Sequence, residues 1–215
     1  MSRHLKNISA SRLIVVEGVT DQSVFEAIFK AHGLTDMQAF AAVVHGRGGG
    51  WSFFGEFLGI LATSPGFDKV KLIVMVGDND TNESFKNVTD QIHSAHYSRP
   101  KAVKEIAHTH NKPNIVVLMV PVDRNGCIES LCYEAAREKW PDLIDPLQRF
   151  ESEMPARNWT ENKKVKMRTQ CLLAATCKPK PDIAIKDLWQ KGAEYALPVD
   201  GPAFAPIAAF LKSLP

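Results

Sequence analysis

Glu17 ends the apolar run Leu13-Ile14-Val15-Val16; Gly18 follows it and Asp21 stands four positions beyond the glutamate. A second run, Leu72-Ile73-Val74-Met75-Val76, ends in Gly77-Asp78-Asn79-Asp80. Both runs carry carboxylates at their exits. In an open parallel sheet the ligand crevice lies beyond the carboxyl ends of the strands, so Glu17, Asp78 and Asp80 can converge there although they are far apart in sequence. Acidic oxygens gathered in one crevice repel one another until something neutralises them, and a hard divalent cation such as Mg2+ does this best. The pattern is that of a magnesium site suited to phosphate chemistry.

The elements that must position these acids are legible as short, β-branched, unbroken apolar runs. Residues 12–16, 72–76 and 115–120 have the continuous apolarity of strands buried on both faces, and Ala39 to His45 is a fourth candidate. Between them the spacing predicts helices over Asp21 to His32, with Val24, Phe25, Ile28 and Phe29 on one stripe and Gly33 as a stop. Further helices are predicted over Trp51 to Ala62, Ser84 to about His96, and Lys101 to His110. The order βαβαβαβ implies a parallel sheet with right-handed crossovers and helices on both faces. After Pro121 helices dominate: Ile128 to Lys139, Pro141 to Glu151, Glu161 to Thr176 and Pro202 to Leu214, with turns at Lys178-Pro179-Lys180-Pro181 and around Pro198 to Pro202. The expected organisation is an α/β domain over 10–125 and a helical extension over 126–215 packed on it.

At 215 residues and 45% hydrophobic composition, the chain can bury one sizeable core with a modest appendage. The 26 Lys+Arg against 24 Asp+Glu give +2, which excludes a uniformly basic coat; a polyanion would need a local groove. No apolar stretch reaches the ~20 residues of a membrane span and the first residues lack a signal peptide's apolar core, so the cytoplasm is the expected compartment. Cys127, Cys132, Cys171 and Cys177 lack CxxC spacing and read as buried free thiols; His93 and His96 read as a surface pair.

A strand ending in Glu17-Gly18 with an acid four positions on, then a later strand ending in Asp78-x-Asp80, resembles the Toprim domain. That domain is shared by type IA and type II topoisomerases, bacterial primases, the small ribonucleases that mature 5S ribosomal RNA, and the OLD-family nucleases. The likeness covers roughly residues 10–125 and includes the Gly48-Gly49-Gly50 turn. Beyond it, Asn125-Gly126-Cys127-Ile128-Glu129-Ser130-Leu131, the lysine-rich helix running into Lys178-Pro179, and Phe210-Leu211 resemble a small stand-alone Toprim-like family of unknown function related to the OLD nucleases. The resemblance implies a Toprim-like, Rossmann-like fold and a nuclease using one or two Mg2+ or Mn2+ ions on DNA or RNA. It implies Glu17 as general acid or base and among the metal ligands, with Asp78 and Asp80 holding metal. Asp21 and Glu129 are the candidates for an expanded set, and two ions ~3.5–4 Å apart would stabilise attacking and leaving oxygens. It also implies a lysine from beyond the core on the scissile phosphate, Lys166 or Lys163.

Each residue also has a plainer role. Glu129 and Asp21 sit at helix starts, where an acid is favoured by the exposed amides, and Thr20 can serve as the cap. The loop His45 to Gly50, with Arg47, Gly48 and Gly49 as the substrate-binding candidates, could cradle a phosphate with backbone amides, or simply let the next helix approach the site. Lys163, Lys166 and Gln170 share one helical face, with Val165, Thr169 and Leu172 opposite, as a solvated face would. Two rival functions stand beside the nuclease. One is a catalytically silent Toprim module for nucleic-acid binding or signalling in a defence system. The other takes Asp78-Asn79-Asp80-Thr81 as the DxDxT of haloacid-dehalogenase phosphatases. Expected partners are nucleic acid, a partner ATPase and a second copy of the chain, without a membrane.

Overall fold

The computed structural model describes residues 7–44, 49–190 and 194–215. Four strands, β1 (Arg12–Val16), β2 (Met37–Ala41), β3 (Leu72–Asp78) and β4 (Asn114–Val120), form one parallel sheet in the order β2-β1-β3-β4. The crossovers carry α1 (Val19–His32), α2 (Phe54–Ala62) and α3 (Ser84–Ser94). After β4 come α4 (Ile128–Lys139), α5 (Ile144–Glu153), α6 (Glu161–Thr176) and α7 (Ala205–Ser213). This is an α/β Rossmann-like fold with a helical C-terminal part.

Unbroken apolar runs are explained by burial on both faces, because successive strand side chains point opposite ways. Ile14, Val16, Val74, Val76, Val116 and Leu118 meet Phe25 and Ile28 of α1, Leu131 of α4, Leu172 of α6 and Ile207 of α7 on one side. Leu13, Val15, Ile73, Met75, Ile115 and Val117 meet Phe54, Phe57 and Leu61 of α2 and Val88 and Ile92 of α3 on the other. Phe25 and Phe57 have no exposed surface. Truncating either to alanine would cost about 3–5 kcal/mol. At the sheet's N-terminal edge Arg12 forks onto Asp36, with two contacts of 2.6 Å, and donates to the Leu214 carbonyl at 3.1 Å, pinning the chain's end to β1.

Several expected elements differ. β2 runs from Met37 to Ala41 rather than from Ala39 to His45, since β1 ends at Val16 and offers no further partner after the Ala42 N–H reaches the Val16 carbonyl at 2.8 Å. His45 lies outside the described residues. The helix expected over Lys101 to His110 is absent. Lys104 adopts a left-handed φ of 67° and donates to the Val117 carbonyl, and Ala107 exchanges both backbone hydrogen bonds with Ile115. The segment covers the outer edge of β4, and satisfying that exposed ladder outweighs local helix propensity. α3 stops at Ser94 because His96 turns left-handed, with φ 62°. The first turns of the expected helices at Trp51 and Pro141 are 3-10 turns, Trp51–Phe53 and Pro141–Leu143. α7 begins at Ala205 rather than Pro202.

Candidate metal centre

β1 and β3 are neighbours in register, with Val15 opposite Met75, so the chain leaves both strands at one edge. Glu17 Oε1 accepts a hydrogen bond from the Asp78 N–H at 3.0 Å, and Oε2 accepts one from the Trp51 N–H at 3.3 Å. Burial is the main reason its carboxyl is raised above the ordinary range; these amides pull it back, and Asp80 pushes it up further. The glycine turn supports Glu17 from behind. The Gly50 N–H donates to the Glu17 carbonyl at 3.0 Å, and a Cβ at Gly49 would lie 2.7 Å from that oxygen. Gly49 is therefore needed for close backbone approach. Arg47 and Gly48 lie outside the described residues.

Asp21 enters from the first turn of α1. Gly18, not Thr20, is the N-cap, and the Asp21 carboxylate accepts its N–H at 2.8 Å. That bond accounts for the residue's place in the helix but not for its environment: burial first, then Glu129 and Glu17, push its carboxyl up to about 7. Asp78 closes β3, and its Oδ1 accepts the Ile128 N–H at 3.1 Å, capping α4. A helix N-terminus stabilises an anion. Burial and the charges of Asp21, Glu17 and Glu129 overcome this and push Asp78 up to about 8.

Asp80 is placed differently. After Asp78 the chain turns as the Asn79 N–H bonds the Val120 carbonyl at 2.7 Å and Asn79 bridges Gly126, leaving Asp80 exposed and accepting from the Ser84 hydroxyl at 2.9 Å. It acts on the centre through its charge on Glu17.

The Asn79–Gly126 bridge also aims the start of α4. Gly126 has a φ of 145°, and a Cβ there would meet Ser130 Oγ at 2.8 Å. Cys127 follows as the N-cap of α4 and Glu129 lies in its first turn. Donor atoms of Asp78, Cys127 and Glu129 all fall within 4.8 Å of one another. Glu129 Oε2 is buried without a hydrogen-bond partner among the described residues. Burial, Glu129 and Asp78 push the Cys127 thiol up to about 12.

Lys166 faces this group from α6, its Nζ 3.5 Å from Glu129 Oε1. Desolvation works against its charge, but Glu129, Cys127 and Asp78 hold the ammonium above its ordinary value. The approach is fixed by packing: Val165, Thr169 and Leu172 are buried, and the Thr169 hydroxyl reaches the Glu129 carbonyl at 3.4 Å. Arg168 ties α6 to Glu151 of α5 at 2.5 and 2.8 Å, and to Glu161. Lys163, exposed on the same face as Lys166, lines a groove of about 680 Å3 with Trp159, Lys166, Met167, Gln170 and Cys171.

The chain brings together Glu17, Asp21, Asp78, Glu129 and Lys166, sets Asp80 at the margin, and adds Cys127, which spacing alone reads as an inert buried thiol. The one available signal was its position two residues before Glu129, at a cap where an oxygen side chain is the usual choice. Four carboxylates against one ammonium leave the cluster short of positive charge. A divalent cation fits this set, with Asp78 and Glu129 as oxygen ligands, one buried Glu129 oxygen having no geometric hydrogen bond among the described residues.

The model of the family described as "Protein of unknown function (DUF3226)" matches residues 11–214. The chain belongs to that family. No curated protein matches the chain, and no solved structure does. The matched span of this DUF3226 protein takes in every residue of the acidic centre, from Glu17 to Lys166. Among the described residues no helix is long and apolar enough to cross a membrane.

Proposed function

We propose that this DUF3226 protein is a divalent-metal-dependent phosphodiester hydrolase acting on DNA or RNA in the cytoplasm. The observation that carries the reading is the convergence of Glu17, Asp21, Asp78 and Glu129, drawn from two strand exits and two helix starts, in one largely buried cluster faced by Lys166. The Toprim resemblance supplies the reaction class, and the order of the acids along the sheet is consistent with it. Asp78 and Glu129 would hold Mg2+ or Mn2+, with Asp21 as a further carboxylate. When bound, such an ion neutralises the phosphate and stabilises charge on its oxygens.

The chain's own groups supply the rest. Glu17, raised by burial, is a stronger proton acceptor than an exposed glutamate, and its two backbone donors hold the carboxylate in one orientation toward an attacking water. Lys166 stabilises negative charge on the scissile phosphate. Lys163 meets a neighbouring phosphate, while Trp159, 48% exposed on the same groove, offers an aromatic face to a base. The groove supplies the local positive surface that a net charge of +2 does not.

The haloacid-dehalogenase alternative needs both acids of Asp78-Asn79-Asp80-Thr81 at the reacting phosphate. The outward turn of Asp80 and the convergence of Glu17 and Glu129 on Asp78 favour the nuclease. The test is to incubate the purified chain and Mn2+ with single- and double-stranded DNA and RNA. Cleavage that stops with chelator is expected. Four intact polymers would overturn the proposal, and binding without cleavage would leave the silent module in its place.

A further inference from the structure

We infer that Cys127 is a further donor to the cation, so that the centre binds a thiophilic divalent ion of the Zn2+ or Co2+ class more tightly than the harder ions of the proposed reaction. This rests on the metal-centre reading above and deepens it, because it concerns which ion the centre takes.

Three observations carry it. Cys127 Sγ belongs to the compact group formed with the Asp78 and Glu129 carboxylates, all within 4.8 Å of one another. Zn–S and Zn–O bonds of about 2.3 and 2.0–2.2 Å put neighbouring donors of a tetrahedral ion about 3.5 Å apart, so small side-chain rotations would close this group on one ion. Second, Glu129 Oε2 is buried without a partner among the described residues, and it is one of the two carboxylates in that group. Third, Cys127 occupies the N-cap of α4, where serine, threonine, aspartate or asparagine would accept a backbone N–H far better than sulfur does. Sγ and the Ser130 hydroxyl lie 3.8 Å apart, a weak contact whichever of the two donates. The capping box pairs Sγ with the Ser130 N–H, and the thiol also meets Glu129, but sulfur caps less well than oxygen, and metal ligation is the chemistry in which a thiol at this position surpasses a hydroxyl.

Two hard carboxylates and one soft sulfur form a mixed set. Mg2+ takes oxygen and keeps its waters, so it would use Asp78 and Glu129 and ignore the thiol. Zn2+ and Co2+ form strong metal–sulfur bonds and would use all three donors. Coordination forms the metal–sulfur bond and releases the thiol proton to the buffer.

The test is optical titration of the metal-free 215-residue chain with Co2+, with Zn2+ and Mg2+ affinities by calorimetry. A sulfur-to-cobalt charge-transfer band is expected in the wild type and in Cys132→Ala, and not in Cys127→Ser, which retains a capping side chain. Cys127→Ser should weaken Zn2+ by about a hundredfold while Mg2+ affinity stays unchanged, since it removes a ligand to one ion and none to the other. Co2+ binding without the band would overturn the inference and leave a carboxylate-only centre standing. The same holds for a Zn2+ affinity unaffected by Cys127→Ser. If the variant fails to fold, the wild-type spectrum still decides, because no charge-transfer band means no thiolate ligand. Absence of binding by all three ions would remove the metal centre itself.

Discussion

The backbone N–H of Asp78 donates to Glu17 Oε1 at 3.0 Å, so the exit of β3 orients the carboxylate that leaves β1. One bond thereby links two residues that lie far apart in sequence and fixes the proposed proton acceptor beside a proposed metal ligand. Glu17→Gln removes the charge and keeps one of the two amide contacts through its carbonyl oxygen, setting its NH2 against the other N–H. Cleavage is expected to fall at least a hundredfold while melting temperature changes little, because neutralising a buried anion offsets the amide contact that is lost. Initial rates and thermal denaturation on the same preparation check this.

Glu129→Gln separates a ligand from a helix-start acid. Removing a stabiliser of transition-state charge costs about 3 kcal/mol of activation free energy, near a hundredfold in rate. Loss of a favourable first-turn charge costs only about 1 kcal/mol or less of stability. A mutant that folds normally and cleaves at the wild-type rate would return Glu129 to a capping role.

Lys166→Met removes the ammonium 3.5 Å from Glu129. The Lys166 side chain is 54% exposed, so the stability change is expected to stay within about 1 kcal/mol. The rate should fall tenfold or more through kcat rather than KM if the charge acts on the transition state. Lys166→Arg should restore part of it.

The metal-free protein has a pH dependence of defined sign. Asp21 is raised from 3.8 to about 7 and Asp78 from 3.8 to about 8, both chiefly by burial. Folding therefore takes up protons in that interval, and the stability these two groups contribute is fully present below the unfolded value and is lost as pH rises through the folded ones. Asp36 and Glu151, held low by hydrogen bonds from Arg12 and Arg168, contribute oppositely and lose their contribution as pH falls through the acid range. Chelator-treated protein is expected to lose Tm between about pH 4 and about pH 8. Saturating Mn2+ should flatten that decline, and a Tm rising over this interval in chelator would contradict it.

The order of strands and helices was legible because a strand buried on both faces must be apolar at every position, as 12–16 and 72–76 are. The segment 101–110 was not, since its conformation is decided by the open edge of β4, a partner that local sequence does not name. Glu17, Asp21 and Asp78 could be placed at one edge from the parallel topology alone. The fate of Asp80 depended on whether the chain continued or turned after Asp78, and the Asn79 bond to Val120 decides that from outside the motif. Cys127 stayed hidden for the same reason: its neighbour Asp78 comes from another strand, and spacing rules for cysteine look only along the chain.

Calorimetric titration of Mn2+ into metal-free wild type, Asp78→Asn and Asp80→Asn tests the central claim that the buried carboxylates form one cation centre. Saturable binding is expected in the wild type, largely retained in Asp80→Asn, whose carboxylate faces Ser84, and lost in Asp78→Asn. Equal Mn2+ affinity in Asp78→Asn and wild type would contradict it.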